Sequence, residues 1–117
     1  MARLSTHVLD TAHGVPAAGI KVRLSMVEGG ISSTLKTVTT NSDGRTAEPL
    51  LSGEKLTVGV YELVLSVGAY FRDAGEMLND PPFLDEVIIR FGLSDPAQNY
   101  HVPLLIAPYG YSTYRGS

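Results

Sequence analysis

The sequence predicts an all-β protein, a two-sheet β-sandwich of about eight strands with one short helix. Apolar and polar side chains alternate with period two through runs rich in Val, Leu, Ile, Thr and Tyr, which marks strands with one buried face. Gly and Pro separate these runs at short intervals and supply the turns between them. Only one stretch, starting at Phe71, carries apolar residues at helical spacing.

In chain order, Leu4, Thr6 and Val8 alternate with Arg3, Ser5 and His7 in a first strand, and a Gly/Pro loop over residues 12–19 leads to a second. There Val22, Leu24 and Met26 alternate with Lys21, Arg23 and Ser25. Gly29-Gly30 supplies the positive φ angles of a tight turn, so residues 32–40 return antiparallel. Asn41-Ser42-Asp43-Gly44 makes the next turn, followed by a short strand over residues 45–50. A long strand over residues 58–69 puts Tyr61, Leu63, Leu65 and Val67 on one face. Phe71, Ala74 and Met77 or Leu78 define the helix, with Asp73 near its start and Pro81-Pro82 beyond its end. Strands over residues 83–91, 100–107 and 109–114 complete the sandwich, which is expected to occupy residues 1–117 as one domain.

Composition narrows the function. A net charge of -3 with scattered Lys and Arg predicts neither a nucleic-acid nor a membrane partner. The residues Met1 to Ser5 lack the apolar core of a secretory signal, so a cytoplasmic location is expected. With no Cys, thiolate ligands, disulfides and cysteine nucleophiles drop out. The three histidines show no ligand spacing, and no Gly-x-Ser-x-Gly elbow, phosphate loop or dinucleotide fingerprint occurs. Neither a metal nor another cofactor is expected.

His7 and His101 both alternate with apolar neighbours, so both should face outward. A neutral imidazole can take a proton from water without a metal, yet two ordinary surface histidines would show the same phase. Arg45 follows the Asp43-Gly44 turn, where a guanidinium can be held toward a developing oxyanion or simply sit in solvent. The run Tyr114-Arg115-Gly116-Ser117 brings a hydroxyl and an arginine together in a strand-like segment. Tyr100, Tyr109, Tyr111 and Tyr114 suit either a subunit interface or plain strand packing. Asp85 and Glu86 are adjacent, hence on opposite strand faces, and read as solvated.

Four motifs then occur in one order. The run from Leu4 to Asp10, the turn Ser42-Asp43-Gly44-Arg45, the segment from Tyr100 to Leu105, and the final Tyr-Arg-Gly-Ser resemble those of the transthyretin-like 5-hydroxyisourate hydrolases. The resemblance implies a transthyretin-like sandwich assembled as a homotetramer, a dimer of dimers, with its sites at the dimer–dimer interface. It implies 5-hydroxyisourate as substrate, opened by hydrolysis of a lactam bond to a hydroxy-carboxy-ureidoimidazoline. His7 or His101 would be the base while the other orients substrate or water, and Arg45 would stabilise the oxyanion. Ser117 would join the catalytic set, and Tyr114, Arg115 and Gly116 would complete the substrate pocket. Two other readings stay open, a carrier of a small hydrophobic ligand on the same fold and a non-catalytic interaction module.

Overall fold

The computed structural model describes residues 2–116. It is an all-β sandwich of two sheets with one α-helix, as the alternation predicts. The strands are β1 (Arg3–Asp10), β2 (Val15–Pro16), β3 (Lys21–Glu28), β4 (Ile31–Thr39), β5 (Leu51–Ser52), β6 (Gly59–Ser66), β7 (Glu86–Leu93), β8 (Tyr100–Ala107) and β9 (Gly110–Thr113). One sheet runs β2-β1-β8-β9 with β5 paired to β1, and the other runs β4-β3-β6-β7. All neighbours are antiparallel except β1 and β8, which run parallel.

The alternating residues meet between the sheets. Leu4 and Val8 from β1, Val22 and Leu24 from β3, Tyr61, Leu63 and Leu65 from β6, and Leu104 and Ile106 from β8 are all buried. Each such side chain contributes about 1.5–3 kcal/mol by leaving water. Thr6 shares this inner face because its hydroxyl donates to the Val102 carbonyl at 2.7 Å.

Beside the two-residue strand β2, which forms inside the expected loop over residues 12–19, three elements depart from the sequence reading. The helix, α1 (Val67–Asp73), starts four residues before Phe71, because Val67 and Phe71 together form its buried stripe. It stops at Gly75, whose φ of 91° closes the helix: Gly75 N–H donates to the Arg72 carbonyl and Glu76 N–H to the Phe71 carbonyl. Strand β7 begins at Glu86 rather than residue 83, since residues 82–85 pack over the start of α1. There Gly68 N–H donates to the Asp85 carbonyl, and a Cβ on Gly68 would meet Leu84 O and Pro82 Cγ at 3.0 Å. The expected strand over residues 45–50 is instead an arch between two attachments to β1, a bridge from Arg45 to His7 and the pairing of Leu51 with Leu4. Between those attachments β1 advances three residues and the opposing segment six. The surplus, with Pro49 unable to donate, lifts away from the sheet.

A buried carboxylate ties α1 to β1. Asp10 Oδ2 accepts from the Tyr70 hydroxyl at 2.8 Å and lies 2.6 Å from His13 Nδ1, while Oδ1 accepts the N–H groups of Ala12 and His13. Burial alone would raise the Asp10 pKa, but these donors outweigh it and hold the carboxyl below its ordinary value. Burial and the same bond push Tyr70 up to about 12. No helix among the described residues is long and apolar enough to cross a membrane.

Candidate active site

The parallel pairing of β1 with β8 sets Ser5 opposite His101 and His7 opposite Pro103. With Leu4, Thr6 and Val8 committed to the core, Ser5, His7 and His101 share the outer face of the sheet. Both histidines are therefore outward, as their phase predicts.

One turn places both His7 and Arg45. Asn41 Oδ1 accepts the N–H groups of Asp43 at 2.9 Å and Arg45 at 3.2 Å, and Asn41 N–H donates to the Arg45 carbonyl at 2.8 Å. Gly44 adopts φ 74°, and a Cβ there would collide with the Val8 carbonyl oxygen, so the turn sits flush on β1. Its Asp43 carbonyl accepts a hydrogen bond from His7 Nε2 at 2.8 Å. Because a carbonyl only accepts, Nε2 carries the proton, and neutral His7 keeps its lone pair at Nδ1.

His101 is held from two sides. Its Nδ1 lies 2.8 Å from Ser5 Oγ, and its backbone carbonyl accepts from Gly116 N–H at 2.8 Å. Burial, followed by the nearby Arg45 and His7, lowers its pKa below the ordinary imidazole value. The neutral form, able to accept a proton near pH 7, is thereby favoured.

The arch over residues 46–49 forms one wall of a cavity of about 400 Å³ on this face. Arg3, Ser5, Arg45, Glu48, Asn99 and His101 contribute to its lining. That size and polarity suit a small, hydrogen-bonding ligand. Arg45 and His101 thus meet at one cavity, with His7 beside them on the same face and joined to Arg45 by a backbone bridge.

The terminal residues divide. Gly116 packs on His101. The Arg115 guanidinium lies 4.3 Å over the Tyr100 ring and donates to Gln98 Oε1 and the Asn99 carbonyl, and Tyr114 is exposed. Neither side chain lines the cavity within one chain. Ser117 lies outside the described residues. Ser5, Glu48 and Asn99 were not singled out from sequence; for Ser5 a signal existed, since it stands two residues from His7 and so shares its strand face. Among the described residues no cluster of three or more His, Asp or Glu is arranged to hold a metal ion.

Comparison with known proteins follows this geometry. The chain is 54% identical over 117 residues to a protein of Pseudomonas aeruginosa named 5-hydroxyisourate hydrolase, covering all of this chain and 93% of that one. The structure of Klebsiella pneumoniae 5-hydroxyisourate hydrolase matches with a TM-score of 0.82 and 41% identity over the whole of both chains. A crystal structure of (S)-allantoin synthase matches 99% of the chain with a TM-score of 0.93 and 40% identity, and there the chain spans only 44% of the longer protein. The model of the HIUase/Transthyretin family matches residues 4–116, a span that takes in both histidines, the turn arginine and Gly116, and the chain belongs to that family.

Proposed function

We propose that this protein hydrolyses 5-hydroxyisourate, opening its six-membered ring at a lactam bond to give the hydroxy-carboxy-ureidoimidazoline of urate breakdown. The observation that carries the reading is the meeting of His101, held toward its neutral form, with Arg45 at one small polar cavity. The full-length similarity to proteins named 5-hydroxyisourate hydrolase supplies the substrate.

The chemistry needs a base and an oxyanion partner, and no cofactor is invoked. His101 Nε2 takes a proton from water as the water oxygen adds to the lactam carbonyl carbon. Arg45 faces the negative charge that gathers on the former carbonyl oxygen. As the carbon–nitrogen bond breaks, the imidazolium returns its proton to the departing ring nitrogen. The carboxylic acid formed then loses a proton to solvent. His7, anchored through Nε2, orients substrate or water with its other edge, and Tyr114, Arg115, Gly116 and Ser117 complete the pocket from the chain's last segment.

The same proposal treats residues 1–117 as one domain working in the cytoplasm as a homotetramer, a dimer of dimers. The exposed rings of Tyr109, Tyr111 and Tyr114 on and beside edge strand β9 offer apolar area for such contacts, and an unpaired edge invites a partner strand. The test is direct. Added to freshly oxidised urate and followed by ultraviolet absorbance, the protein should hasten decay of the first intermediate, and His101→Gln should lose about a hundred- to ten-thousandfold. Decay at the uncatalysed rate with folded parent protein would defeat the reading.

A further inference from the structure

Among the described residues, Ser5 is the one side chain hydrogen-bonded to the His101 ring. Its Oγ lies 2.8 Å from Nδ1, and no other side-chain hydrogen bond to Ser5 occurs among the described residues. The contact is fixed by the fold, since Ser5 and His101 are register partners on the parallel strands β1 and β8, and Ser5 itself lines the cavity. On the opposite edge of the ring, the Gly116 backbone approaches so closely that an added Cβ would lie 2.8 Å from Cδ2. The imidazole is clamped at Nδ1 and Cδ2, and Nε2 has no partner among the described residues.

A hydroxyl can donate or accept, so the clamp allows two arrangements. If Ser5 donated, its hydroxyl would occupy the lone pair at Nδ1 and Nε2 would carry the proton, leaving no free lone pair on the ring to accept one from water. If Ser5 accepts, Nδ1 carries the proton and Nε2 becomes a lone pair. We propose that Ser5 is a positioning residue that accepts from His101 Nδ1–H, fixing the tautomer whose Nε2 acts as the base. This rests on the hydrolytic reading above. When Nε2 then takes the proton of water, the bond from Nδ1–H to Ser5 Oγ persists and strengthens, because its donor becomes charged. The Ser5 hydroxyl hydrogen is meanwhile free to point to substrate or water.

The tautomer is measurable without substrate. Proton–nitrogen correlation spectra of the imidazoles in the parent protein, recorded above the imidazole titration range and assigned by loss of signals in His101→Gln, should report Nδ1 protonated and Nε2 bare. The reverse pattern overturns the proposal whether or not the protein hydrolyses 5-hydroxyisourate. Ser5→Ala should shift His101 toward the Nε2–H form and lower kcat by about ten- to a hundredfold with little change in KM, while Ser5→Thr, which keeps the hydroxyl, should restore both signals. Ser5→Ala with parental kcat and an unmoved tautomer also overturns it. If the spectra agree but neither parent nor variant turns over substrate, the reaction reading fails and the tautomer assignment stands.

Discussion

Gly116 donates its backbone N–H to the His101 carbonyl at 2.8 Å while its missing side chain leaves room for the His101 ring, whose Cδ2 lies 2.8 Å from where a Cβ would stand. The last described residue is thus packed against the proposed base. In Gly116→Ala the ring must move, because a Cβ at that distance is not tolerated, and the side chain is the part that can yield. The Ser5 bond at the other edge then breaks or lengthens. Turnover should fall about ten- to a hundredfold, the scale of a misplaced reactive group, while the thermal midpoint barely changes. Steady-state rates beside a melting curve check this, and an alanine variant with parental kcat would show that the contact does not seat the ring.

How much of this site was legible beforehand depends on distance along the chain. The outward phase of Ser5, His7 and His101 follows from local alternation, and the turn before Arg45 from Asn41, Asp43 and Gly44. The meeting of Ser5 with His101 does not, because 96 positions separate them and only the parallel pairing of β1 with β8 brings them together. The cavity wall was hidden for a different reason. Residues 46–49 fall inside the short strand expected after the Asn41–Gly44 turn, yet the two attachments to β1 leave surplus chain between them. The end of the helix was readable, since Gly75 is the residue type that closes helices, but Phe71, Ala74 and Leu78 continue the apolar spacing past it. Periodicity and capping pointed to different ends, and capping won.

Asn41 holds two pieces of the proposed machinery through one side-chain oxygen, which accepts from Asp43 and Arg45. Asn41→Ala removes that acceptor, so the turn that presents Arg45 and the Asp43 carbonyl behind His7 should loosen together. A stability loss of about 1–2 kcal/mol is expected from denaturant melts, since the groups can rehydrate at this exposed site. Activity should drop further than that loss explains. Asn41→Asp retains an oxygen at the same place and should recover most of both. If Asn41→Ala is as active as the parent, the turn does not set the geometry of Arg45 and His7.

His13 predicts a pH effect on stability that is separate from catalysis. Both ring nitrogens face carboxylates, Nδ1 at 2.6 Å from Asp10 Oδ2 and Nε2 at 2.9 Å from Glu76 Oε1, and only the imidazolium can donate to both. The hydrogen bond to Asp10 raises the His13 pKa above 6.5 against the opposing effect of burial, with Glu76 adding to the rise. A raised folded-state pKa means the stabilisation is complete below the unfolded value and lost as pH rises through the folded one. The parent melting temperature should therefore step down over that interval on the alkaline side of 6.5, and His13→Gln should lack the step. Asp10 works in the opposite direction: its lowered pKa gives stability that is present above 3.8 and disappears as pH falls through the folded value. Identical profiles for parent and His13→Gln would remove His13 from the account.

Arg115 separates two ways in which the chain's last segment could serve the site. The resemblance to the hydrolases makes it a substrate-binding group, whereas in the single chain its guanidinium stacks over Tyr100 and donates to Gln98 and Asn99. Those contacts anchor the segment that carries Gly116, and they brace Asn99 and Tyr100, which line the cavity just before His101. A bracing role predicts that Arg115→Ala lowers kcat by roughly tenfold through a displaced His101, with KM close to the parent value. Lysine keeps the charge over the ring but not the planar fork of donors, so Arg115→Lys should fall between parent and alanine. The thermal midpoint should hardly respond, because an exposed cation–π contact contributes only about 0.5–1 kcal/mol. Direct substrate binding predicts the other split: KM rises sharply while kcat stays near the parent value. Initial rates over a range of 5-hydroxyisourate concentrations distinguish the two, and a change confined to KM would move Arg115 from the frame of the site to its substrate-binding surface, supplied within the assembly by the same chain or a neighbouring copy.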